Sequence, residues 1–418
     1  MANLVPFSFV RRVRVPYSVP ATGFPTTMSF PLLAEIFALW SLMVWFVLVF
    51  LWGGFWRVWE SDAERADLPS VEDWPRVAAV IPARNEAASI AAVVAAMAKQ
   101  DYPGEFSAIV VDDHSEDGTR NLAQAAAMES GAGDRVRIIS APTLATGWTG
   151  KLWALNAGVV AAAASLPQFL WLTDADVVHA PDALRRLVSR AERDAVDLTS
   201  LMVLLKSSTF AERLLIPPFV YFFLMLYPPR WIGDPRSKTA GAAGGSILIR
   251  RAALERVGGV AKIRGEIIDD CSLARAVKGS GGKIWMGLTR RSHSLRSYSG
   301  FSEIRDMIAR TAFTQLGYSA LRLVATIFGL AMTFLVPAVF AFAPRAKIWL
   351  PALLAWCLMT ASFLPTVTFY RLSPLWAPFL PVSALFYSYA TLLSAVRYWR
   401  GRGGQWKGRA QVTNRQDL

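Results

Sequence analysis

The chain has 418 residues, of which 54% are hydrophobic, and a formal net charge of +13. This length allows one catalytic domain with further segments, and the hydrophobic content is high for a soluble protein. Two cysteines without metal-type spacing exclude a disulfide framework and fit a domain that faces the cytoplasm. The basic residues lie beside hydrophobic stretches, which favours anionic lipid headgroups as a partner and argues against nucleic acid.

The N-terminal region changes character at Met28. Residues 1–28 carry three arginines and several prolines without an amphipathic period, so we expect a disordered tail or a start codon assigned too early. Residues 29–57 are apolar over about 20 positions, enough for one transmembrane helix. This apolar segment begins too late and is too long for a signal peptide.

Short apolar runs then alternate with helical patterns. Strands are predicted within 77–87, 106–119, 135–142 and 168–177. Strands that alternate with helices are typical of an α/β fold with a mostly parallel sheet. Ligands of such sheets bind at the carboxyl ends of the strands. The pairs Asn85-Glu86, Asp112-Asp113 and Asp174-Asp176 all fall at such ends and are expected to converge on one edge.

Asp174 and Asp176 follow the apolar run FLWLT. Because side chains alternate along a strand, both carboxylates point the same way and repel each other. Solvation, protonation of one acid or a bridging cation would make the pair tolerable. A turn that merely begins with Asp is the alternative interpretation.

The C-terminal half contains further apolar segments. Residues 210–231 include four prolines, which favours an interfacial helix on the bilayer over a buried helix or a full span. Residues 319–397 are expected to form transmembrane or interfacial helices, and 398–418 a basic cytoplasmic tail. An even number of C-terminal passes would keep this tail and the catalytic domain on one side. Three apolar stretches are present, at 320–343, 348–369 and 374–396. One of the three should therefore be re-entrant or interfacial.

Four segments resemble the family 2 inverting glycosyltransferases in order and spacing: VIPARNE, VVDDHSEDGT, TDADV and GEIIDDCSLA. GWTGKLWALNAG is similar to the Gly-Lys…Ala-Leu-Asn segment of that family. The resemblance implies a GT-A nucleotide-sugar-binding domain, which we place at 75–318. MIARTAFTQLGYS and RGRGGQWKGR further resemble the hopanoid-associated, HpnB-type membrane glycosyltransferases, with ceramide glucosyltransferases as more distant relatives.

The resemblance implies roles for the acidic strand ends. Asp112 and Asp113 would bind the nucleobase, and Glu86 would lie on the donor side of the site. Asp174 and Asp176 would hold Mg²⁺ or Mn²⁺, with Asp174 next to the donor diphosphate. Carboxylate oxygens are the ligands that both ions accept.

Asp270 is the second acid of the position where the family has a Glu-Asp pair, so it is the expected general base. Asp269 could instead cap the helix that follows. Arg310 occupies the Arg position of the family's Gln-x-x-Arg-Trp motif and is expected to bind diphosphate or to extend toward headgroups. Lys151 is expected to contact phosphate or to be a solvated surface lysine.

Other positions are expected to be less informative. The histidines have no metal-ligand spacing and are expected in surface or loop positions; they are His114, His179 and His293. The glycine-rich turn at 240–246 lacks the phosphate-loop ending and is expected to form a wall of the sugar or acceptor pocket.

The sequence therefore predicts a membrane-bound inverting glycosyltransferase of the hexosyltransferase type. It would transfer a single sugar from a nucleotide diphosphosugar, in the first place a UDP-sugar, to a lipid acceptor such as a hopanoid. The expected location is the inner (plasma) membrane, with several passes and the catalytic domain facing the cytoplasm. The alternatives are a processive polysaccharide synthase, which the absence of the motif's Trp opposes, and a non-catalytic glycosyltransferase-like membrane protein, which the retained acids oppose. A transporter is opposed by the absence of charge within the C-terminal spans.

Overall fold

The computed structural model describes residues 30–58, 61, 73–401, 405–406 and 409–410. The tail expected at 1–28 lies outside the described residues, as does most of the basic tail expected at 398–418. The α-helices of the described residues are α1 (Phe30–Phe50), α2 (Ile90–Ala98), α3 (Thr119–Glu129), α4 (Gly150–Ala162), α5 (Ala183–Arg193), α6 (Phe210–Leu226), α7 (Pro229–Gly233), α8 (Arg251–Arg256), α9 (Asp269–Gly279), α10 (Phe301–Gln315), α11 (Ala320–Leu330), α12 (Val336–Phe340), α13 (Ala346–Phe369) and α14 (Leu380–Trp399).

One mixed sheet organises the central domain. Its strands are β1 (Val77–Ala83), β2 (Phe106–Asp112), β3 (Val136–Ser140), β4 (Phe169–Thr173), β5 (Val177–His179), β6 (Leu198–Leu204), β7 (Ser246–Arg250) and β8 (Ile284–Ser294). Their order in the sheet is β3-β2-β1-β4-β7-β6-β8-β5. The half that runs from β3 to β4 is parallel, whereas β7 is antiparallel to both neighbours and β5 is antiparallel to β8. The fold is therefore α/β, and the four strands predicted from the sequence make up its parallel half. A separate two-stranded ribbon consists of β9 (Gln405–Trp406) and β10 (Arg409–Ala410).

The two faces of the sheet belong to two hydrophobic cores because strand side chains alternate. Val77, Ala79 and Ile81 of β1 pack with α2 and α5, whereas Ala78 and Val80 pack with α4 and the apolar helices. Every residue of β1 is buried, as expected for a central parallel strand with helices on both faces. This arrangement holds the carboxyl ends of β1 and β4 side by side.

Among the residues that the structure describes, five helical segments are long and apolar enough to cross a membrane, and they lie on both sides of the sheet domain and within it. Three of them pack on one another. The small residues Ala34 and Ala38 of α1 contact Ile348 and Ala352 of α13, and the Trp45 ring meets Phe334 edge-on at 5.5 Å. The segments are Phe30–Phe50, Phe210–Gly233, Ala320–Phe340, Ala346–Phe369 and Pro374–Trp399.

The segment Phe210–Gly233 cannot cross a bilayer in a single pass. It connects β6 to β7, and these strands are hydrogen-bonded neighbours, with Thr199 opposite Leu248. One crossing would place the two strands on opposite sides of the membrane. The interfacial arrangement expected for 210–231 is compatible with this connection and stays a prediction.

α14 runs parallel to α10 along its whole length. Phe301, Ala309 and Phe313 of α10 contact, in the same order, Phe386, Ser394 and Tyr398 of α14. An ion pair of 2.6 Å between Asp306 and Arg397 joins the same two helices. The last apolar helix is therefore attached to a charged helix of the central domain.

Gly158 sets the distance between α4 and the sheet. A Cβ atom at this position would collide with the side chains of Val80 and Val111. Gly158→Ala should therefore lower the thermal unfolding midpoint, with a cost of about 1–3 kcal/mol from overpacking. Gly133→Ala is the control, because nothing lies within 4 Å of its added Cβ. Equal midpoints for the two variants, measured in detergent, would show that α4 does not depend on this close approach.

Candidate functional site

The carboxyl ends of β1 and β4 open onto a cleft with an empty volume of about 720 Å³. Its walls come from the loop after β1, the start of α4, the turn after β4, the segments before α9 and after β8, and α10. Residues from distant parts of the chain meet here; among them are Glu86, Thr149, Lys151, Asp174, Asp176, Glu266, Asp269, Arg296 and Arg310. Five of the residues proposed from the sequence thus line one cleft, and Asp270 faces an adjoining space of about 340 Å³.

The loops after β1 and β2 are bonded to each other. The backbone N–H of Asn85 donates to Ser115 Oγ at 3.0 Å, and the N–H of Glu86 donates to Thr119 Oγ1 at 2.8 Å. Asn85 has a left-handed backbone, with φ of 51°, which turns the chain sharply at the strand end. Glu86 is thereby held on the cleft wall.

Asp112 ends β2 and Asp113 follows it. Both are buried, and neither is among the residues that line the cleft. The Asp113 carboxylate forms an ion pair of 3.7 Å with Arg84, which also donates to the Asp113 carbonyl oxygen. The backbone N–H of Ser115 lies 3.4 Å from both oxygens of Asp112. Arg84 was not identified from the sequence as a site residue, although it precedes Asn85-Glu86 directly.

Asp174 and Asp176 follow β4 and both line the cleft. Asp176 Oδ2 accepts a hydrogen bond of 3.0 Å from Ser294 Oγ, so β8 holds this side chain. Burial, together with Asp176 and Asp269, raises the pKa of Asp174 despite the opposing effect of Lys151. Burial and the nearby Glu86 raise the pKa of Asp176. Negative charge is therefore concentrated on this wall.

Lys151 lies between two of these acids. Its ammonium is 3.0 Å from Asp174 Oδ1 and 3.1 Å from Asp269 Oδ2. Its side chain is 22% exposed, so the interpretation as a solvated surface lysine is wrong. Burial would lower its pKa, but the Asp174, Asp269 and Asp270 carboxylates raise it overall. Contact between Lys151 and phosphate stays a prediction.

Asp269 does not cap α9. The N-cap residue is Ile268, which has no side-chain cap, and the Asp269 carboxylate turns to Lys151 instead. The capping interpretation is wrong because an ammonium on α4 lies within reach of this carboxylate.

Asp270 is held by two backbone N–H groups. Oδ2 accepts from Gly244 at 2.9 Å, and Oδ1 accepts from Cys271 at 2.7 Å. Gly244 and Asp270 line the same space, and a Cβ at Gly244 would lie 3.4 Å from Oδ2. The wall of a sugar or acceptor pocket expected at 240–246 stays a prediction. Burial and Asp269 raise the pKa of Asp270 to about 6, against the effects of Lys151 and the two hydrogen bonds.

Arg310 of α10 and Arg296, which follows β8, line the cleft, and the positive charge of Arg296 favours the charged form of Asp176. Both side chains belong to exposed residues. Arg296 and Glu266 were missed by the sequence reasoning. Neither follows one of the predicted parallel strands, and LRSYS carries no motif that would have indicated Arg296. These arginines bring positive charge to a cleft that otherwise contains mainly acids.

The carboxylates fit a divalent cation. Asp174 and Asp176 offer hard oxygen ligands. Burial raises the pKa of both acids, and neighbouring carboxylates raise it further, a repulsion that an added cation would offset. The described part of the chain contains no group of three or more His, Cys, Asp or Glu arranged for a metal ion. A cation bound here would therefore need further ligands from the donor diphosphate or water.

The comparison with protein families agrees with this geometry. The family model described as "Glycosyltransferase like family 2" matches residues 75–312, more than half of the chain. This chain belongs to that family. The match spans the sheet, the acids of the cleft and α10 with Arg310. The expectations of a family 2 glycosyltransferase and of a GT-A type α/β domain are confirmed.

Two similar proteins extend the comparison. An N-acetylglucosaminyltransferase of Mesorhizobium japonicum is 31% identical over 153 residues, which are 36% of this chain and 34% of the relative. The match thus spans about a third of that protein's length. The solved mannosyltransferase PcManGT of Pyrobaculum calidifontis, in complex with GDP-Man and Mn²⁺, is 18% identical with a TM-score of 0.51. That comparison covers 87% of this chain and 99% of the other, and it shows a shared fold.

Asp270→Asn tests the predicted general base. The variant keeps the shape of the side chain and removes its basicity, so turnover should fall by about 10²–10⁴-fold while donor affinity changes little. Asp269→Asn is the matched control one residue earlier, with a smaller effect on turnover. Near-normal turnover in Asp270→Asn would move the base to Asp269.

The pH profile gives a second measurement on the same pair. A base must be deprotonated, so wild-type activity should rise as the pH increases through about 6, the pKa of Asp270. Asp269 raises that pKa, so Asp269→Asn should move the acidic limb to lower pH. Lys151 favours the charged form of Asp270 in the wild type and in Asp269→Asn alike. The neighbouring Cys271 thiol stays protonated, because burial and Asp270 raise its pKa. A shift to higher pH in Asp269→Asn would contradict the assignment.

Proposed function

We propose that this protein is a membrane-bound inverting glycosyltransferase that transfers one sugar from a nucleotide diphosphosugar to a lipid acceptor. The observation that supports this proposal most strongly is that four acids line one cleft and Asp270 lines the adjoining space; the four are Glu86, Asp174, Asp176 and Asp269. These are the groups that diphosphate departure and acceptor deprotonation require. Family membership supports the reaction class.

Each end of the donor has a matching group. Asp112 and Asp113 at the end of β2 would accept hydrogen bonds from the nucleobase. Lys151, Arg296 and Arg310 would bind the diphosphate with their positive charges. The Lys151 ammonium carries three N–H donors, so it would contact a phosphate oxygen without giving up Asp174 or Asp269.

The reaction needs a proton acceptor and charge compensation. Asp174 and Asp176 would hold Mg²⁺ or Mn²⁺, which when bound offsets charge on the departing diphosphate. Asp270 would take the proton of the acceptor hydroxyl as that oxygen attacks the anomeric carbon from the face opposite the diphosphate. The N–H groups of Gly244 and Cys271 fix the orientation of this carboxylate.

The donor and the acceptor are proposed from different features. A UDP-sugar is our first choice, and the name of the curated relative makes nucleotide-activated N-acetylglucosamine the first one to test. An amphiphilic acceptor suits a cleft whose wall includes α10, because the other face of α10 packs on apolar α14. A hopanoid is the lipid implied by the resemblance of the α10 region to HpnB-type proteins.

For the membrane arrangement, we propose three passes, formed by α1, α11–α12 and α13, in the inner membrane. In the most apolar stretches of these segments, 28%, 28% and 39% of the residues are buried, against 56% for both α6–α7 and α14. α14 lies along α10, whose charged side chains Arg305, Asp306 and Arg310 are costly within hydrocarbon. The catalytic domain and the end of α14 would then both face the cytoplasm.

Donor transfer is tested with membranes from expressing cells. We expect label from one of UDP-GlcNAc, UDP-glucose or GDP-mannose to enter the lipid extract, and EDTA to abolish the transfer until Mn²⁺ or Mg²⁺ is restored. Membranes with Asp270→Asn are the control. Label found only in a soluble polymer would contradict the single transfer to lipid, and full activity in excess chelator would contradict the metal site.

The three-pass arrangement is tested by cysteine labelling of the full chain. In a Cys357→Ser background, Phe342→Cys lies in the connection after α12 and Arg400→Cys follows α14; Cys271 is buried. A membrane-impermeant maleimide should label Phe342→Cys in intact spheroplasts, and Arg400→Cys only after permeabilisation. Labelling of Arg400→Cys in intact spheroplasts would show that α14 crosses the membrane.

A further inference from the structure

His179 is buried in the sheet, 2% exposed, and the expectation of a surface histidine is wrong. It lies on β5, only three residues after Asp176, and its ring is 4.4 Å from the ring of Trp171. Both ring nitrogens have hydroxyl partners. Nε2 is 2.8 Å from Thr173 Oγ1 and Nδ1 is 2.7 Å from Ser292 Oγ.

The donor and acceptor of each hydrogen bond follow from the last group in the series, the carbonyl oxygen of Gly245. Thr173 Oγ1 lies 2.8 Å from the carbonyl oxygen of Gly245, which can only accept, so the hydroxyl proton of Thr173 points there. Nε2 of His179 must then donate to Thr173, and Nδ1 must accept from Ser292. The neutral imidazole with its proton on Nε2 is therefore the form that satisfies every group, and the buried surroundings favour a neutral ring.

This chain of hydrogen bonds ends on both sides of the proposed site. Thr173 directly precedes Asp174, and Gly245 directly follows Gly244, whose N–H donates to Asp270 Oδ2. On the other side, Ser292 lies two residues before Ser294, which donates to Asp176 Oδ2. One side chain thus connects β8, β5, β4 and the glycine turn before β7.

We propose that His179 is a positioning residue that holds the turn bearing Asp174 and Asp176 in register with the glycine turn that orients Asp270. The proposal rests on the proposed function of these acids. An imidazole suits the position because it donates and accepts at once across the gap between two hydroxyls. Removal of the ring nitrogens leaves the buried Ser292 hydroxyl without its acceptor and breaks the link to Thr173, which frees the two turns to move apart.

Four variants test the proposal. His179→Phe keeps an aromatic ring beside Trp171 and removes both hydrogen bonds, and Thr173→Val removes the hydroxyl in the middle of the chain. Thr173→Ser keeps that hydroxyl and should behave like the wild type. Thr199→Val is the packing control, because the Thr199 hydroxyl is also buried but has no hydrogen-bond partner.

His179→Phe and Thr173→Val should each lower turnover per folded enzyme by about 10-fold or more, the effect of roughly 1.4 kcal/mol or more, and should weaken Mn²⁺ binding in titration calorimetry. The double variant should be little worse than the more impaired single variant, because both remove the same chain of bonds. Loss of the Gly244 N–H from Asp270 should also move the acidic limb of the pH profile upward, since that bond lowers the pKa of Asp270. Lower unfolding midpoints with unchanged turnover, metal affinity and pH profile would overturn the proposal.

A measurement independent of activity separates this proposal from the proposed function. The chain has three histidines, so selective ¹⁵N-histidine labelling gives a small set of imidazole signals in NMR. The signals lost in His179→Phe should be those of a neutral ring protonated on Nε2 at pH 7, and Thr173→Val should shift them while Thr199→Val does not. A ring that is cationic or protonated on Nδ1 would overturn the proposal whatever the activity. Absence of transfer in the wild type, with the expected tautomer present, would instead count against the proposed function.

Discussion

The repulsion among carboxylates is the constraint on which the proposed site depends. Asp174, Asp176, Asp269 and Asp270 come from two segments that are far apart in sequence and meet beside one cleft. Such a group is stable only if positive charge and N–H donors compensate it. The Lys151 ammonium contacts one acid of each pair, and the Gly244 and Ser294 donors hold the others. In the proposed function, a cation held by Asp174 and the donor diphosphate would both meet this ammonium, so their binding would be linked to the orientation of the acids.

The acids at the strand ends could be predicted because the rules that place them are local. FLWLT is a short apolar run that predicts a buried strand, and parallel strands share a carboxyl edge, so the position of Asp174 and Asp176 at that edge could be predicted. Strand alternation does not orient them, however, because β4 ends at Thr173 and both acids lie in the turn closed by the Val177 N–H and the Asp174 carbonyl oxygen. His179 and Arg296 could not be predicted in the same way. Their environments depend on β5 and β8 pairing antiparallel, with Val178 opposite His293, and no local pattern specifies which distant strand completes the sheet edge.

Hydropathy located the apolar helices but could not distinguish a membrane span from a helix attached to the domain surface. α6–α7 and α1 are both apolar, yet the first joins two neighbouring strands of one sheet while the second lies before the sheet begins. The difference lies in connectivity, which becomes visible only when the strand order is known. α14 shows the same point, because its parallel contact with charged α10 is a tertiary property of residues that are apolar in sequence.

α10 joins the cleft to the apolar part of the molecule. Arg310 lines the cleft from this helix, while Phe301 and Phe313 pack on α14 and Asp306 pairs with Arg397. Because α6 also packs on α13 and α14, with Tyr221 bonded to Ser362 and Tyr387 bonded to the Leu215 carbonyl, the domain is held to the apolar helices from two sides. Two attachments restrict rotation more than one, and in the proposed arrangement they would fix the height of the cleft above the bilayer, which decides whether the hydroxyl of a membrane-embedded acceptor can reach Asp270.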